Sequence, residues 1–218
     1  MNIVLYGEEK LLLAQRLEDL KKKYQCTSDD MNYMVYHAGE TPMKEIIEDA
    51  LTQPFLTEYK MVVLKNPIFL TKEKPKKKLV TDEDIKLFLD YIEHDNPTTI
   101  FVIYQDQRNF DERKKVVKSL RKHAKWYEME KLTFDQLYKT TREAIIRRNA
   151  SIDDDALTLL LDRCGNDLLT ISNQVEKLCL YTHNIKKEDV ERLVPPRVEE
   201  DVFKLTNALM NHDLRNTM

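Results

Sequence analysis

Glycine is scarce in this chain, 3 residues in 218, alongside 7 prolines, 3 cysteines and 1 tryptophan. With 42% hydrophobic and 33% charged residues, the composition belongs to a helix-rich globular protein and argues against disorder. Cys26, Cys164 and Cys179 are scattered and odd in number. That excludes a disulfide framework and points to reduced thiols in a cytoplasmic protein. No Cys/His spacing resembles a zinc site. The five histidines, at 37, 94, 123, 183 and 212, are not spaced to pair as ligands and read as surface or helix-end residues. No apolar run reaches the ~18 residues of a membrane span. Glu8 and Glu9 directly follow the first short apolar run, which is not how a signal peptide is built. Net charge is −3, so no global basic field attracts nucleic acid. The length suits one or two domains with a real core.

What is present is an alternation. "NIVLYG" is a short buried-strand run, followed by a helix with Leu13, Leu17, Leu20 and Tyr24 on one stripe. "MNYMVYH" is a second strand; Thr41 then caps a helix with Pro42 at its first position. That helix carries Met43, Ile46, Ile47, Ala50 and Leu51 at helical spacing. "KMVVLKN", "TIFVIYQ" and "KWYEME", with the lone Trp126, give three more strands. The intervening helices turn Ile85, Phe88, Leu89 and Ile92, then Val116, Val117 and Leu120, inward. Strand–helix alternation predicts a parallel sheet with helices on both faces. The pattern changes near Leu132. "TFDQ" from Thr133 fits a capping box, and only helices are expected after it, one of them capped by Asn166 with Leu168, Ile171, Val175 and Leu178 as its stripe. The expected organisation is an α/β domain over 1–140, a small helical lid domain over 141–196, and over 197–218 the truncated start of a third, helical domain.

An α/β sheet followed by a helical bundle invites the reading of a P-loop ATPase. Such a site needs a glycine-rich loop after the first strand, a Lys for the phosphates and a Ser or Thr for Mg²⁺. Here "GEEKLLL" follows: Gly7 is alone, Glu8 and Glu9 would repel phosphate, and no Ser or Thr succeeds Lys10. The third strand should end in metal-holding and water-polarising carboxylates, but it ends in Lys65-Asn66. No catalytic or metal-binding motif appears elsewhere. The basic run Thr71–Lys78 mixes in Glu73 and Pro75 and reads as a solvated loop; whether Lys72–Lys78 touches DNA stays open.

Three stretches in this order, "LYGEEKLLL", "QPFLTEYKMVVLKNP" and "GNDLLTISNQVEKL", resemble the delta subunit of the bacterial DNA polymerase III clamp loader. The resemblance implies an AAA+-like, nucleotide-site-degenerate fold with Leu168 where an ATPase would carry a nucleotide-sensing Arg. It implies no cofactor, no metal and no catalytic residue. It also implies a subunit that binds the sliding clamp and holds the ring open, in company with ATPase subunits of the tau/gamma type, a delta prime type subunit, and primer–template DNA contacted through the assembled complex. The family's clamp-binding element is a pair of apolar side chains at the tip of the helix before the third strand, where Pro54, Phe55 and Leu56 lie.

Periodicity alone leaves Phe55 two roles, a peg for a partner's pocket or a staple folded back on the sheet; the resemblance favours the peg. Either Pro54-Phe55 or Phe55-Leu56 is the working pair, with Phe55 the expected anchor because proline offers less apolar surface. Two readings compete with a clamp-opening subunit: a divergent AAA+ ATPase with unrecognised phosphate contacts, and a DNA-binding regulatory protein using the Lys72–Lys78 loop.

Overall fold

The computed structural model describes residues 1–26, 31–73 and 80–196. Most of the basic run, and the expected start of a third helical domain at 197–218, lie outside the described residues. The chain divides into two compact units, Met1–Lys131 and a second beginning at Leu132. The division falls ahead of residue 140, which lies inside a helix of the second unit. No helix among the described residues is long and apolar enough to cross a membrane.

The first unit is a five-stranded sheet built from β1 (Asn2–Gly7), β2 (Tyr33–His37), β3 (Lys60–Lys65), β4 (Thr99–Gln105) and β5 (Ala124–Met129). The strands run parallel in the order β2-β3-β4-β1-β5. Its helices are α1 (Lys10–Lys23), α2 (Met43–Leu51), α3 (Asp82–Glu93) and α4 (Lys115–His123), with a 3-10 turn over Ile68–Leu70. The three inner strands read as continuous apolar runs because both of their faces are buried. Ile3, Leu5, Met61, Val63, Ile100 and Val102 meet Leu13, Leu17 and Leu20 of α1. The alternate residues Val4, Val62, Leu64, Phe101 and Ile103 meet α2, α3 and α4 through Ile46, Ile47, Phe88, Ile92, Val117 and Leu120. One helix therefore covers one face and three cover the other. Phe88 and Phe101, both fully buried, meet edge-on at 5.9 Å, a geometry that adds to the area they bury.

Helix ends follow local chemistry. Thr81 and Asp84 form a reciprocal capping box that starts α3. At α2 the expectation is corrected: Pro42 is the cap residue, Thr41 lies outside, and no side chain caps the first turn. Leu51, expected to pack inward, is 52% exposed, since it falls at the last helical position after the stripe has turned away from the sheet.

The second unit contains α5 (Phe134–Ile146), α6 (Asp154–Cys164), α7 (Leu168–Tyr181) and α8 (Lys187–Leu193). Thr133 and Gln136 form the expected capping box of α5. The expectation of helices alone is corrected: β6 (Ser151–Ile152) and β7 (Asn184–Ile185) pair in parallel. Asp167, not Asn166, caps α7, accepting the Thr170 N–H. Leu168, Ile171, Val175 and Leu178 are buried as their spacing requires. Arg163 donates to the carbonyls of Val190, Glu191 and Val194, and Lys177 to that of Leu193 at 2.6 Å. Cations thus satisfy carbonyls at the C-terminal end of α8, where the helix dipole favours them.

Candidate functional site

Two places in the first unit bear on function, the loop after β1 and the loop between α2 and β3. The first is the switch point of the sheet, between β4 and β1, where parallel α/β folds bind their ligands. Only Glu8 and Glu9 separate β1 from α1. Gly7 has φ 143°, and a Cβ there would lie 2.1 Å from the Met129 carbonyl oxygen. That close approach to β5 is why glycine stands there. The Glu9 N–H donates to the same Met129 carbonyl at 3.1 Å, so it is engaged within the fold. Near the strand ends, Arg108 pairs with Glu128 at 2.5 Å and Glu130 at 2.9 Å, while the Tyr6 hydroxyl donates to Glu128 at 2.8 Å. Beyond β3, Asn66 accepts the Asp106 N–H at 3.2 Å, and the Lys65 ammonium lies 5.7 Å from the centre of the Tyr104 ring. Leu168, in the second unit, is 6% exposed and packs in that unit's core.

The α2–β3 loop, residues 52–59, starts from a helix end that is held unusually firmly. Lys60, the first residue of β3, is 3% exposed. Its ammonium donates to the Asp49 carbonyl and to Asp49 Oδ1, each at 2.7 Å, and to Thr52 Oγ1 at 2.8 Å. Thr99, directly across from Lys60 in the β3–β4 register, donates its hydroxyl to the Ala50 carbonyl at 2.7 Å. Asn96 donates to the Leu51 carbonyl at 3.2 Å. The last carbonyls of α2, which have no partner within the helix, are thus met by side chains from the start of β3 and the turn before β4. The Lys60 charge also complements the negative end of the helix. Asp49 accepts a further bond from the Tyr36 hydroxyl at 3.1 Å; burial and then the Asp49 charge push that hydroxyl up to about 12.

Beyond this anchor the apolar residues turn outward. Pro54 is half-buried, Phe55 is 57% exposed and Leu56 is 89% exposed. They sit in the loop past the helix rather than on its last turn, and Phe55 is not folded onto the sheet as a staple. Leu56 has φ 57°, a left-handed conformation that costs a side-chain-bearing residue about 1–2 kcal/mol. Asn32, 2% exposed just ahead of β2, holds Phe55 from both sides: its Oδ1 accepts the Phe55 N–H at 2.6 Å, and its Nδ2 donates to the Phe55 carbonyl at 2.8 Å. The sequence reading found the three loop residues but not Asn32 or Lys60. A buried lysine opening a strand was the one available signal, because lysine is almost never fully buried without a partner.

The family described as DNA polymerase III, delta subunit, matches residues 4–130. The chain belongs to the DNA polymerase III delta subunit family. A delta relative, DNA polymerase III subunit delta of Bacillus subtilis (strain 168), is 31% identical over 211 residues, which cover 95% of this chain and 60% of the relative. The solved structure of the Bacillus subtilis DNA clamp loader delta protein matches with a TM-score of 0.75 at 31% identity, over 99% of this chain and 64% of that one. This chain therefore spans less than two thirds of the length of either delta relative. The Thermotoga maritima RuvB Holliday junction branch migration motor matches with a TM-score of 0.54 at 12% identity, covering 98% of this chain and 70% of that one, a likeness of fold alone. The delta fold is accordingly α/β and AAA+-like.

Proposed function

We propose that this delta-family chain is the subunit that binds the sliding clamp through Phe55 and Leu56 and promotes ring opening, with no ATP bound or hydrolysed by itself. Its partners on this reading are the clamp, the tau/gamma-type ATPase subunits, a delta prime type subunit and, through the assembled complex, primer–template DNA in the cytoplasm. The observation that carries the reading is the pairing of a 57% exposed Phe55 with an 89% exposed Leu56 held in a left-handed backbone, beside a helix end that is fixed by buried donors. Backbone strain on an exposed apolar residue has no use in the isolated fold and points to a binding role. Burying each side chain in a partner's pocket is worth about 1.5–3 kcal/mol. Pro54 offers less surface and is half-buried, so it shapes the loop while Phe55 and Leu56 form the working pair. Ring opening then requires only tighter binding to the open clamp than to the closed one, because a ligand shifts an equilibrium by its differential affinity. The absence of ATP chemistry is supported by the two-residue β1–α1 connection and its closure on Met129. The test is clamp affinity. Phe55→Ala should weaken binding by about 2–4 kcal/mol, the scale of an aromatic hot spot, with the unfolding midpoint nearly unchanged. Unchanged affinity together with a sharp fall in the midpoint would refute the reading.

A further inference from the structure

We infer that Asn32 is a positioning residue for clamp binding: its side-chain amide fixes the backbone of Phe55 and so presents Phe55 and Leu56 to the partner. This rests on the clamp-binding reading of the loop. Among the described residues, no other hydrogen bond reaches the backbone of residues 53–56. The Lys60, Thr99 and Asn96 bonds fix the helix end at residues 49–52 and stop short of the peg.

Asn32 supplies both halves of what a neighbouring strand would supply, an acceptor for the Phe55 N–H and a donor for its carbonyl. Asparagine is suited to this because one planar group carries an acceptor and a donor side by side. The amide orientation follows from its partners, since an N–H requires the oxygen and a carbonyl requires the NH₂. Asn32 is 2% exposed, and its own carbonyl accepts the Met61 N–H at 2.7 Å, so the residue is tied to β3 through its backbone while its side chain reaches Phe55. On one side of Phe55, Pro54 has its φ fixed by its ring. On the other, Leu56 holds φ 57°. A left-handed leucine persists only where its surroundings over-determine it, and the two bonds to Phe55 provide that constraint. Without them the loop samples other conformations, and the clamp must bind a fraction of the population.

The test is a double-mutant cycle on sliding-clamp binding by the whole chain. Asn32→Ala and Asn32→Asp should each weaken binding about 10–100-fold, the effect of losing a buried two-bond contact converted at tenfold per 1.4 kcal/mol. Aspartate keeps the size and the acceptor but cannot donate to the Phe55 carbonyl. Adding Asn32→Ala to Phe55→Ala should weaken binding much less than adding it to the wild type, because the two act through one element. A purely structural role for Asn32 would give additive losses, and additivity overturns the inference. So does wild-type affinity in both Asn32 variants when Phe55→Ala alone binds weakly. If Phe55→Ala itself binds normally, the function proposed above falls, and this inference falls with it by a separate arm. Hydrogen exchange on the unmodified chain adds a measurement that needs no variant: the Phe55 amide should be protected, and free exchange there overturns the inference.

Discussion

Replacing Lys60 by methionine tests the idea that the α2 end is a fixed platform. Methionine keeps the unbranched stem and roughly the volume, so packing changes little. What disappears are the bonds at 2.7, 2.7 and 2.8 Å to the Asp49 carbonyl, Asp49 Oδ1 and Thr52 Oγ1. Removing one member of a buried ion pair generally costs about 3–5 kcal/mol, because the other charge is left without its partner. Two features reduce that here. The Asp49 side chain is 25% exposed and can take up water, and it keeps the Tyr36 hydroxyl at 3.1 Å. The ammonium's own burial penalty is also relieved. The expected loss is about 2–3 kcal/mol, which at about 2–4 °C per kcal/mol lowers the thermal midpoint by about 4–12 °C. Urea unfolding followed by far-ultraviolet circular dichroism measures this directly, with the denaturant slope unchanged if the unfolded state is unaffected. Adding Asp49→Leu should recover more than half of the loss, since an apolar pair in place of an ion pair is often neutral. A midpoint free energy within about 0.5 kcal/mol of wild type, the range of ordinary surface changes, would show that Thr99 and Asn96 hold the helix end alone and would refute the reasoning.

Asp111 accepts from the Arg113 guanidinium at 2.9 and 3.0 Å, and chiefly that bond holds its carboxyl down to about 2. A lowered folded value contributes stability that is full above the unfolded value of about 3.9 and is lost as pH falls toward 2. Unfolding midpoints measured from pH 5 to pH 2 should therefore fall less steeply in Asp111→Asn than in the wild type, and parallel curves would contradict this. Calorimetry with Mg-ATP should show no saturable binding at millimolar nucleotide; a dissociation constant below about 100 μM, near −5.5 kcal/mol, would restore the divergent-ATPase reading.

The sheet was legible because its inner strands are buried on both faces. Runs such as "KMVVLKN" and "TIFVIYQ" admit no half-exposed reading once helical stripes lie between them. Helix starts were legible where a side chain performs the capping, as at Thr81 and Thr133. At α2 and α7 the expected cap is off by one residue: Asn166 and Asp167 both satisfy the N-cap preference and Asp167 takes the role, whereas at α2 the cap position falls on Pro42, which has no side-chain acceptor, so the Thr41 signal goes unused. The β6–β7 pair is two residues per strand, too short for a period to show. For the candidate site, the apolar run at 54–56 was visible, but its support was not. Lys60 and Asn32 act across the fold, on Asp49 and Phe55, and apart from a lysine opening an apolar strand no local pattern announces such a bond. Leu51 was misplaced for a related reason: helical spacing fixes a direction, and the last turn of α2 has no neighbour in that direction.

The place of β1 in the sheet has a consequence for how the protein is made. β1 is made before the other strands, yet both of its partners, β4 and β5, come from far along the chain, with Asn2 opposite Phe101 and Ala124. At about 5–20 residues per second, the ~90 residues between β1 and β4 delay pairing by about 5–20 s. During that interval "NIVLYG" is an apolar strand with two open edges, the kind of segment that aggregates or engages a chaperone. β2 and β3 can pair and collect α2 well before then. Synthesis therefore builds the β2–β3 side of the sheet, which carries the Phe55 loop, first; β1 pairs only once β4 has appeared, and the edge strand β5 adds to β1 after that.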